Sequence, residues 1–226
     1  MRMLDLYAGH GGASAAQADR GWEVHRVDLA PRAGELGANV TLHRANVLSW
    51  RWTGGPVDLL WASPPCTEFA RESMPWCRTG YAPSLRLVSA AVLHVERIKP
   101  TWWALENVSG SRPHITPLLG EPVAHVGAIW LWGSLPPVTW PTLRPRKEAI
   151  SGARPDLRSL VPYAVSLALA LAVENAKAMT DDDWKTTNPA DADQEPGDDE
   201  RCEECGALPP SCARECEHRQ GPAVGR

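Results

Sequence analysis

The 226-residue sequence lacks any uninterrupted run of 18 apolar residues, and it lacks internal repeats. Its first residues, MRMLDLYAG, have the pattern of a strand and not that of a signal peptide. We therefore expect neither a membrane-spanning helix nor a secretory leader, and we expect the protein in the cytoplasm of a bacterial or phage-infected cell. The length suits one sizeable α/β domain that works as a monomer, with little chain left for a second domain.

Basic residues are scarce in the last part of the chain. Residues 1–179 carry 18 Lys and Arg against 14 Asp and Glu, whereas residues 180–226 carry 5 against 13. A mildly basic body permits a polyanionic partner, and the acidic, polar stretch at 180–200 predicts a disordered linker. The predicted organisation is a domain at 1–179, this linker, and a cysteine-rich segment at 201–220.

Short apolar runs alternate with helical stretches along the body. This alternation predicts an α/β fold with a mostly parallel sheet of right-handed βαβ units, in which ligands bind beyond the carboxyl ends of the strands. Predicted strands are residues 3–8, 22–29, a run ending near Val47, 57–63, 101–107 and 128–136. Predicted helices are residues 13–21, 84–98 with Ser84 as cap, and 161–179.

A glycine loop follows the first predicted strand, in the sequence DLYAGHGG at residues 5–12. Glycines there let the backbone turn tightly and approach a ligand closely. Asp28, at the end of the second strand, can accept hydrogen bonds from both hydroxyls of a ribose, and Asn46 can contact an adenine edge. These positions favour nucleoside binding, although an ordinary strand–helix turn has the same local pattern.

Two prolines precede Cys66 in the sequence SPPC, directly after a buried strand. They stiffen the backbone and present the thiol at the sheet edge, where it is a candidate nucleophile if a helix start or nearby Arg71 lowers its pKa. The alternatives are a buried structural cysteine and, as the reactive thiol, Cys77. Glu106, at the end of another strand, can hold or transfer a substrate proton, or it is a solvated loop acid.

In this order, DLYAGHGG, the acid Asp28, SPPC and ENV at 106–108 resemble the motifs of the cytosine-5 DNA methyltransferases. The resemblance covers roughly residues 3–179 and is strong only in these short segments, although VPYAVSLALA also looks like the last motif of the family. It implies a Rossmann-like methyltransferase domain that binds S-adenosylmethionine and acts on cytosine flipped out of double-stranded DNA. It also implies that Cys66 adds to C6 of the base while Glu106 hydrogen-bonds its N3 and amino edge.

The resemblance further implies which residues hold the cofactor. Tyr7 stands where the family usually has Phe, which keeps an aromatic face, and Asn46 replaces the commoner Asp but keeps an acceptor oxygen. The residues that match cofactor-binding positions are Asp5, Tyr7, Ala8, Gly9, Gly11, Gly12, Asp28, Leu29, Asn46, Val47, Pro64, Tyr163 and Val165.

The sequence departs from the family most clearly in the parts that recognise DNA. The family's Gln-x-Arg-x-Arg motif has no clean counterpart, and only about residues 137–160 remain of the long variable region. That stretch has five Lys and Arg against two acids, which suits phosphate contacts better than base reading. We expect a short or relaxed recognition site, or a partner protein that supplies recognition. Candidate DNA-binding residues are Arg71, Arg78, Arg112, Arg144 and Arg146.

Four cysteines of the tail have the ligand type and paired spacing of a small structural zinc site, with His218 as an alternative fourth ligand; they are Cys202, Cys205, Cys212 and Cys216. A reducible, unstructured cluster is the alternative. Two further functions stay open at this point: the same chemistry on RNA or on a free cytosine nucleotide, and a non-catalytic regulator that binds DNA or a partner through the tail.

Overall fold

A computed structural model of the chain describes residues 1–31, 37–71, 81–143 and 160–187. The cysteine-rich segment and most of the acidic linker lie outside these ranges, so the zinc site stays a prediction. Other residues of interest that lie outside them are Cys77, Arg78, Arg144, Arg146 and the side chain of Arg71.

Within the described residues, seven strands form one sheet: β1 (Arg2–Leu6), β2 (Glu23–Asp28), β3 (Val40–Arg44), β4 (Leu59–Ala62), β5 (Trp102–Asn107), β6 (Ala124–Val126) and β7 (Ile129–Ser134). Their order is β3-β2-β1-β4-β5-β7-β6. Strands β1 to β5 are parallel to one another, whereas β7 runs antiparallel to β5 and to β6. The predicted α/β class with a Rossmann-like, mostly parallel sheet is confirmed. The order of the strands reverses between β1 and β4, and this switch point is where such sheets bind ligands.

Helices connect the strands: α1 (Ala15–Asp19), α2 (Thr67–Arg71), α3 (Arg86–Ile98), α4 (Arg112–Leu119) after a 3₁₀ turn at Ser109–Ser111, and α5 (Tyr163–Thr187). Three predictions are corrected. The cap position of α3 is Leu85 and not Ser84, although the Ser84 hydroxyl accepts a bond from the Arg86 N–H at 3.4 Å. Helix α5 continues into the stretch that was predicted as disordered linker, to Thr187. Strand β3 ends at Arg44, before Val47.

The sheet is covered on both faces. On one face, apolar side chains of the strands pack against α5, whose Val165, Leu169 and Val173 recur at helical spacing and are almost fully buried. On the other face, strand residues pack against α3 and α4, through residues such as Val88 and Ile115. A sheet covered in this way leaves the strand ends as the place for polar chemistry.

The chain divides into a compact unit at Met1–Lys177 and a second unit at Ala178–Arg226, of which only the last turns of α5 are described. In the described part of the chain, no helix combines the length and the apolar character needed to cross a membrane.

Candidate active site

The glycine loop begins with a backbone reversal at Tyr7, which adopts a positive φ of 61°. The amides of Tyr7 and Ala8 both donate to the Val27 carbonyl of β2, at 2.9 and 3.2 Å. The Gly9 N–H donates to Asp28 Oδ2 at 3.0 Å. These three bonds tie the loop to the end of β2, so that the loop and the Asp28 carboxylate form one preorganised unit.

The three glycines of the loop have different surroundings. A side chain at Gly9 would point into open space, whereas one at Gly11 would collide with the Arg26 guanidinium, and one at Gly12 with Leu160 and the Val161 carbonyl. Gly11 and Gly12 are therefore required by packing within the protein. Gly9, with a positive φ of 51°, is the glycine that leaves room for a ligand to approach the backbone.

A buried polar network lies beneath the loop. The Ser14 hydroxyl donates to Asp5 Oδ2 at 2.6 Å, and Arg26 donates to Ser14 Oγ at 2.8 Å and to the Gly11 carbonyl at 3.2 Å. Asp5 has no exposed surface, and its Oδ1 has no hydrogen-bond partner among the described residues. Burial raises the pKa of Asp5 to about 6, although Ser14 and Arg26 both lower it. No sequence motif identifies Ser14 or Arg26 as members of the site.

Two further predicted cofactor residues follow β2 and β3. Both Asp28 oxygens accept backbone bonds, from Gly9 and from Ala30, and each keeps a lone pair for a ribose hydroxyl. Leu29, next to it, is 66% exposed and offers an apolar surface to a ligand. Asn46 is exposed, and its Oδ1 accepts from the Leu48 N–H at 3.0 Å, so its side chain first of all shapes the turn after β3.

A hydrogen bond from α3 also holds the turn after β3 in place. Val47 is buried, and its carbonyl accepts a bond from Nε2 of buried His94 on α3 at 2.8 Å. Because a carbonyl only accepts, this His94 nitrogen carries a hydrogen. Burial lowers the pKa of His94, and the nearby Arg51 and Arg97 lower it further, which favours the neutral ring.

Two predicted cofactor residues lie at the start of α5. Val165 has no exposed surface and packs in the core, and the Tyr163 hydroxyl hydrogen-bonds Asp19 at the end of α1. Leu160 and Val161, just before them in the chain, pack against Gly12 of the loop. Tyr7 belongs to the loop itself, and its hydroxyl donates to the Leu87 carbonyl at 2.8 Å.

The SPPC turn lies where β4 ends, across the switch point from the glycine loop. Pro64 is buried, and its carbonyl accepts a bond from Asn107 Nδ2 at 3.0 Å, while Asn107 Oδ1 accepts from the Val108 N–H at 3.0 Å. Asn107 is itself 1% exposed. It thus fastens the proline turn to the end of β5, a role that the sequence did not reveal.

Cys66 is half-buried and stands directly before α2. Burial raises the pKa of its thiol, and the negative charge of Glu106 raises it further, while a backbone hydrogen bond lowers it. The net direction is opposite to the lowering that a helix start would give. Formation of the thiolate therefore depends on a group that removes the proton or on a substrate that changes the surroundings.

Glu106 lies one residue before the end of β5, and Ser63 lies one residue beyond β4, beside it. Burial raises the pKa of Glu106 to about 7, although a hydrogen bond from Ser63 lowers it. The structure therefore brings the two predicted catalytic residues together at neighbouring strand ends, close enough to interact electrostatically.

Arg112 is the described member of the candidate DNA-binding set whose side chain can be placed. Its guanidinium lies 4.2 Å from the ring centroid of Trp130 on β7, and His125 of β6 stacks on the same ring at 4.0 Å. Trp130 pairs with Asn107 in the sheet, one residue from Glu106. Arg112 therefore holds an exposed positive charge at the edge of the sheet that carries the candidate site.

No protein-family model matches the sequence, and no curated protein matches it. Solved structures are similar to parts of it. One is a prophage-encoded protein of E. coli, provisionally described as a DNA modification methyltransferase, with a TM-score of 0.39, 21% identity, and coverage of 51% of this chain and 34% of that one. Another is the 16S rRNA methylase RmtB, with a TM-score of 0.36, 14% identity, and coverage of 58% of this chain and 54% of that one.

A third solved structure is the glycopeptide N-methyltransferase MtfA in complex with S-adenosylmethionine, with a TM-score of 0.32, 17% identity, and coverage of 66% and 59%. The chain thus spans between about a third and three fifths of the length of these proteins. Similarity of this degree identifies neither a family nor a substrate. The strand order described above is the evidence for the fold.

Proposed function

We propose that the protein is an S-adenosylmethionine-dependent methyltransferase that methylates C5 of cytosine in DNA, with Cys66 as nucleophile. The observation that carries this proposal is the placement of Cys66 and Glu106 at the ends of the neighbouring strands β4 and β5, opposite a preorganised glycine loop. A thiol and a carboxyl group that lie close enough to interact electrostatically, beyond neighbouring strands, can contact different edges of one planar ring.

The chemistry proposed for cytosine uses both groups. The Cys66 thiol passes its proton to water as its sulfur bonds to C6, and N3 gains a proton or a strong hydrogen bond from Glu106, so that the electron pair of the C5–C6 double bond becomes available at C5. After C5 has gained the methyl group, its proton passes to water, the C5–C6 double bond re-forms as the C6–S bond breaks, Cys66 leaves as the thiolate, and N3 returns to Glu106 any proton that it gained. With a pKa of about 7, Glu106 carries its proton about half of the time at neutral pH, as this role requires.

The residues around the glycine loop fit the proposed cofactor. Gly9 leaves space for a ligand, the Asp28 carboxylate keeps lone pairs for ribose hydroxyls, and exposed Leu29 can lie against the adenine. Asp5 Oδ1, which is buried and has no hydrogen-bond partner among the described residues, adds a negative charge beneath the loop that suits a cationic group such as the methionine ammonium. When bound, the cofactor supplies an electrophilic methyl group on a sulfonium. The contributions predicted for Tyr7, Ala8, Gly11, Gly12, Asn46, Val47, Pro64, Tyr163 and Val165 stay part of the proposal.

A covalent-trapping experiment tests the nucleophile. DNA in which 5-fluorocytosine replaces cytosine cannot lose a proton from C5, so we expect a stable protein–DNA adduct that needs S-adenosylmethionine. Cys66→Ala should abolish the adduct, and Cys77→Ala, the matched control in the other thiol of the body, should keep it. An adduct that survives Cys66→Ala would contradict the proposal.

The choice of DNA rests on the mild positive charge of the body and on Arg112 at the site, so the substrate class needs its own experiment. We would incubate the full chain with labelled cofactor and, in parallel, with double-stranded DNA, single-stranded RNA or dCTP. We expect label in DNA. Label in RNA or in dCTP alone would assign the same chemistry to another substrate, and bisulfite sequencing of DNA from expressing cells would give the sequence context.

The zinc proposal for the cysteine-rich segment rests on its cysteine spacing. We expect one zinc per chain by elemental analysis of the purified protein, lost when Cys202 and Cys205 are both replaced by Ser. If the double variant keeps its zinc, or if the wild type holds none, the segment has another role.

A further inference from the structure

Trp61, Ser63 and Glu106 lie on one face of the sheet. Trp61 of β4 is in register with Ala104 of β5, so Ser63 and Glu106, each two residues further along, are neighbours on that same face. The buried Trp61 indole donates from Nε1 to Ser63 Oγ at 2.7 Å. The Ser63 hydroxyl in turn hydrogen-bonds the Glu106 carboxyl group.

The direction of these bonds follows from the groups themselves. An indole N–H only donates, so Ser63 Oγ accepts from Trp61. The hydroxyl has one hydrogen, and its bond to Glu106 uses that hydrogen when the carboxyl group is ionised. Trp61 therefore orients Ser63 as a donor toward Glu106, and a donor bonded to a carboxylate stabilises the ionised form.

We propose that Ser63 is a positioning residue whose hydroxyl, oriented by Trp61, holds the Glu106 carboxyl group in place and favours its ionised state. This inference rests on the proposed role of Glu106 but concerns a different property of it. Without such a donor, burial would act on Glu106 unopposed, and a smaller fraction of the group would be ionised near pH 7.

Other groups around Glu106 act in the opposite direction or at a greater distance. The Cys66 thiol, after β4, opposes a second negative charge if it ionises. On the β7 side the register partner of Glu106 is Leu131, which is apolar and fully buried. The Arg112 guanidinium is held over Trp130, whose partner in the sheet is Asn107. Among these groups, Ser63 is the one that stabilises the Glu106 carboxylate through a direct hydrogen bond.

A titration of the cofactor-free full chain tests the inference without any reaction. Carboxyl carbons of ¹³C-labelled glutamate report ionisation by NMR, and Glu106→Gln identifies the Glu106 signal by its loss. In Ser63→Ala we expect the midpoint of Glu106 to rise by about one pH unit, a tenfold weaker acid, as for the loss of one hydrogen bond to a charged group. Ser63→Thr, which keeps the hydroxyl, should restore the wild-type midpoint, and Trp61→Phe should raise it by less than Ser63→Ala.

The matched control is Ser111→Ala, which removes a buried hydroxyl bonded to the Val108 carbonyl at 2.7 Å, in the turn after β5. In Ser111→Ala the titration midpoint of Glu106 should equal that of the wild type. A midpoint unchanged in Ser63→Ala, or raised equally in Ser63→Thr, would overturn the inference. The outcome is independent of the proposed function, because a protein that forms no adduct with 5-fluorocytosine DNA can still show the shift, and an active enzyme can lack it.

Discussion

Replacing Asp5 by Asn is expected to stabilise the protein at neutral pH. Asp5 is fully buried beneath the glycine loop, and burial raises its pKa from 3.8 to about 6. In the folded protein the carboxyl group therefore holds its proton at pH values where the unfolded chain has already released it. Asn has the shape of the protonated acid and still offers an oxygen to the Ser14 hydroxyl, so it removes the cost of the buried charge and keeps the hydrogen bond.

The sign and size of the effect follow from the two pKa values. Because the pKa of Asp5 is higher in the folded protein than in the unfolded chain, the protonated Asp5 contributes its full stabilisation below pH 3.8. The wild type loses this stabilisation as the pH rises through about 6. The difference of about two pH units corresponds to about 3 kcal/mol. We therefore expect the free energies of unfolding of Asp5→Asn and of the wild type to be nearly equal below pH 4, and the variant to be more stable by up to about 3 kcal/mol above pH 6.5.

Urea unfolding followed by tryptophan fluorescence between pH 4 and 8 measures this difference. Asp58→Asn is the control of opposite sign. Burial tends to raise the pKa of Asp58, but bonds from the Lys177 side chain and the Arg2 backbone outweigh it and lower that pKa below 3.8. The ionised group therefore stabilises the wild type fully at every pH of this assay, and Asp58→Asn should be less stable than the wild type by the same amount from pH 4 to 8. If Asp5→Asn has the same stability difference at pH 4 and at pH 8, or is less stable at pH 8, the electrostatic account of the network beneath the loop is refuted.

Three further predictions test other parts of the site. Gly9→Ala and Gly21→Ala, both at positive φ with open space around the added carbon, should each cost about 1 kcal/mol of stability, but only Gly9→Ala should weaken S-adenosylhomocysteine binding in calorimetry. Asn107→Ala removes the partner of the buried Pro64 carbonyl and of the half-buried Val108 N–H, and should cost about 2 kcal/mol in urea unfolding and slow 5-fluorocytosine trapping; equal trapping rates would remove Asn107 from the site. Arg112→Ala should reduce the slope of log affinity for DNA against log salt concentration by about one, as for the loss of one phosphate contact. Arg97→Ala, in the last turn of α3, should leave this slope unchanged.

The sequence predicts the central strands because their apolar residues either run continuously, as in β4, or alternate with polar ones, as in β2. Leu59 and Leu105 are both buried, on opposite faces of the sheet, and the apolar runs to which they belong stand out in the sequence. Strand β6 and helix α4 were not predicted. Strand β6 has three residues, and α4 contains Pro117 in its interior, so neither has enough regular pattern for a sequence-based prediction.

The sequence predicts the positions of Cys66 and Glu106 because motif residues at the carboxyl ends of parallel strands must meet at one edge of the sheet. It cannot predict contacts that depend on side chains far apart in the chain. Ser166 on α5 illustrates this limit: its hydroxyl donates to the Ala13 carbonyl and accepts from the Ala16 N–H, and so fastens α5 to α1. Nothing in the sequence around Ser166 distinguishes it from its neighbours.

Two buried acids on the same face of the sheet indicate which part of the molecule is shaped by function. Asp5 of β1 and Glu106 of β5 lie on either side of β4, and burial raises the pKa of Asp5 to about 6 and that of Glu106 to about 7. Each destabilises the fold at neutral pH, since an apolar or amide side chain of similar size would avoid the cost of a buried charge. Packing alone does not require them, and each has one specific hydroxyl donor, Ser14 or Ser63, that limits the cost. Two such acids at one switch point fit the proton transfers that the proposed chemistry at Cys66 needs.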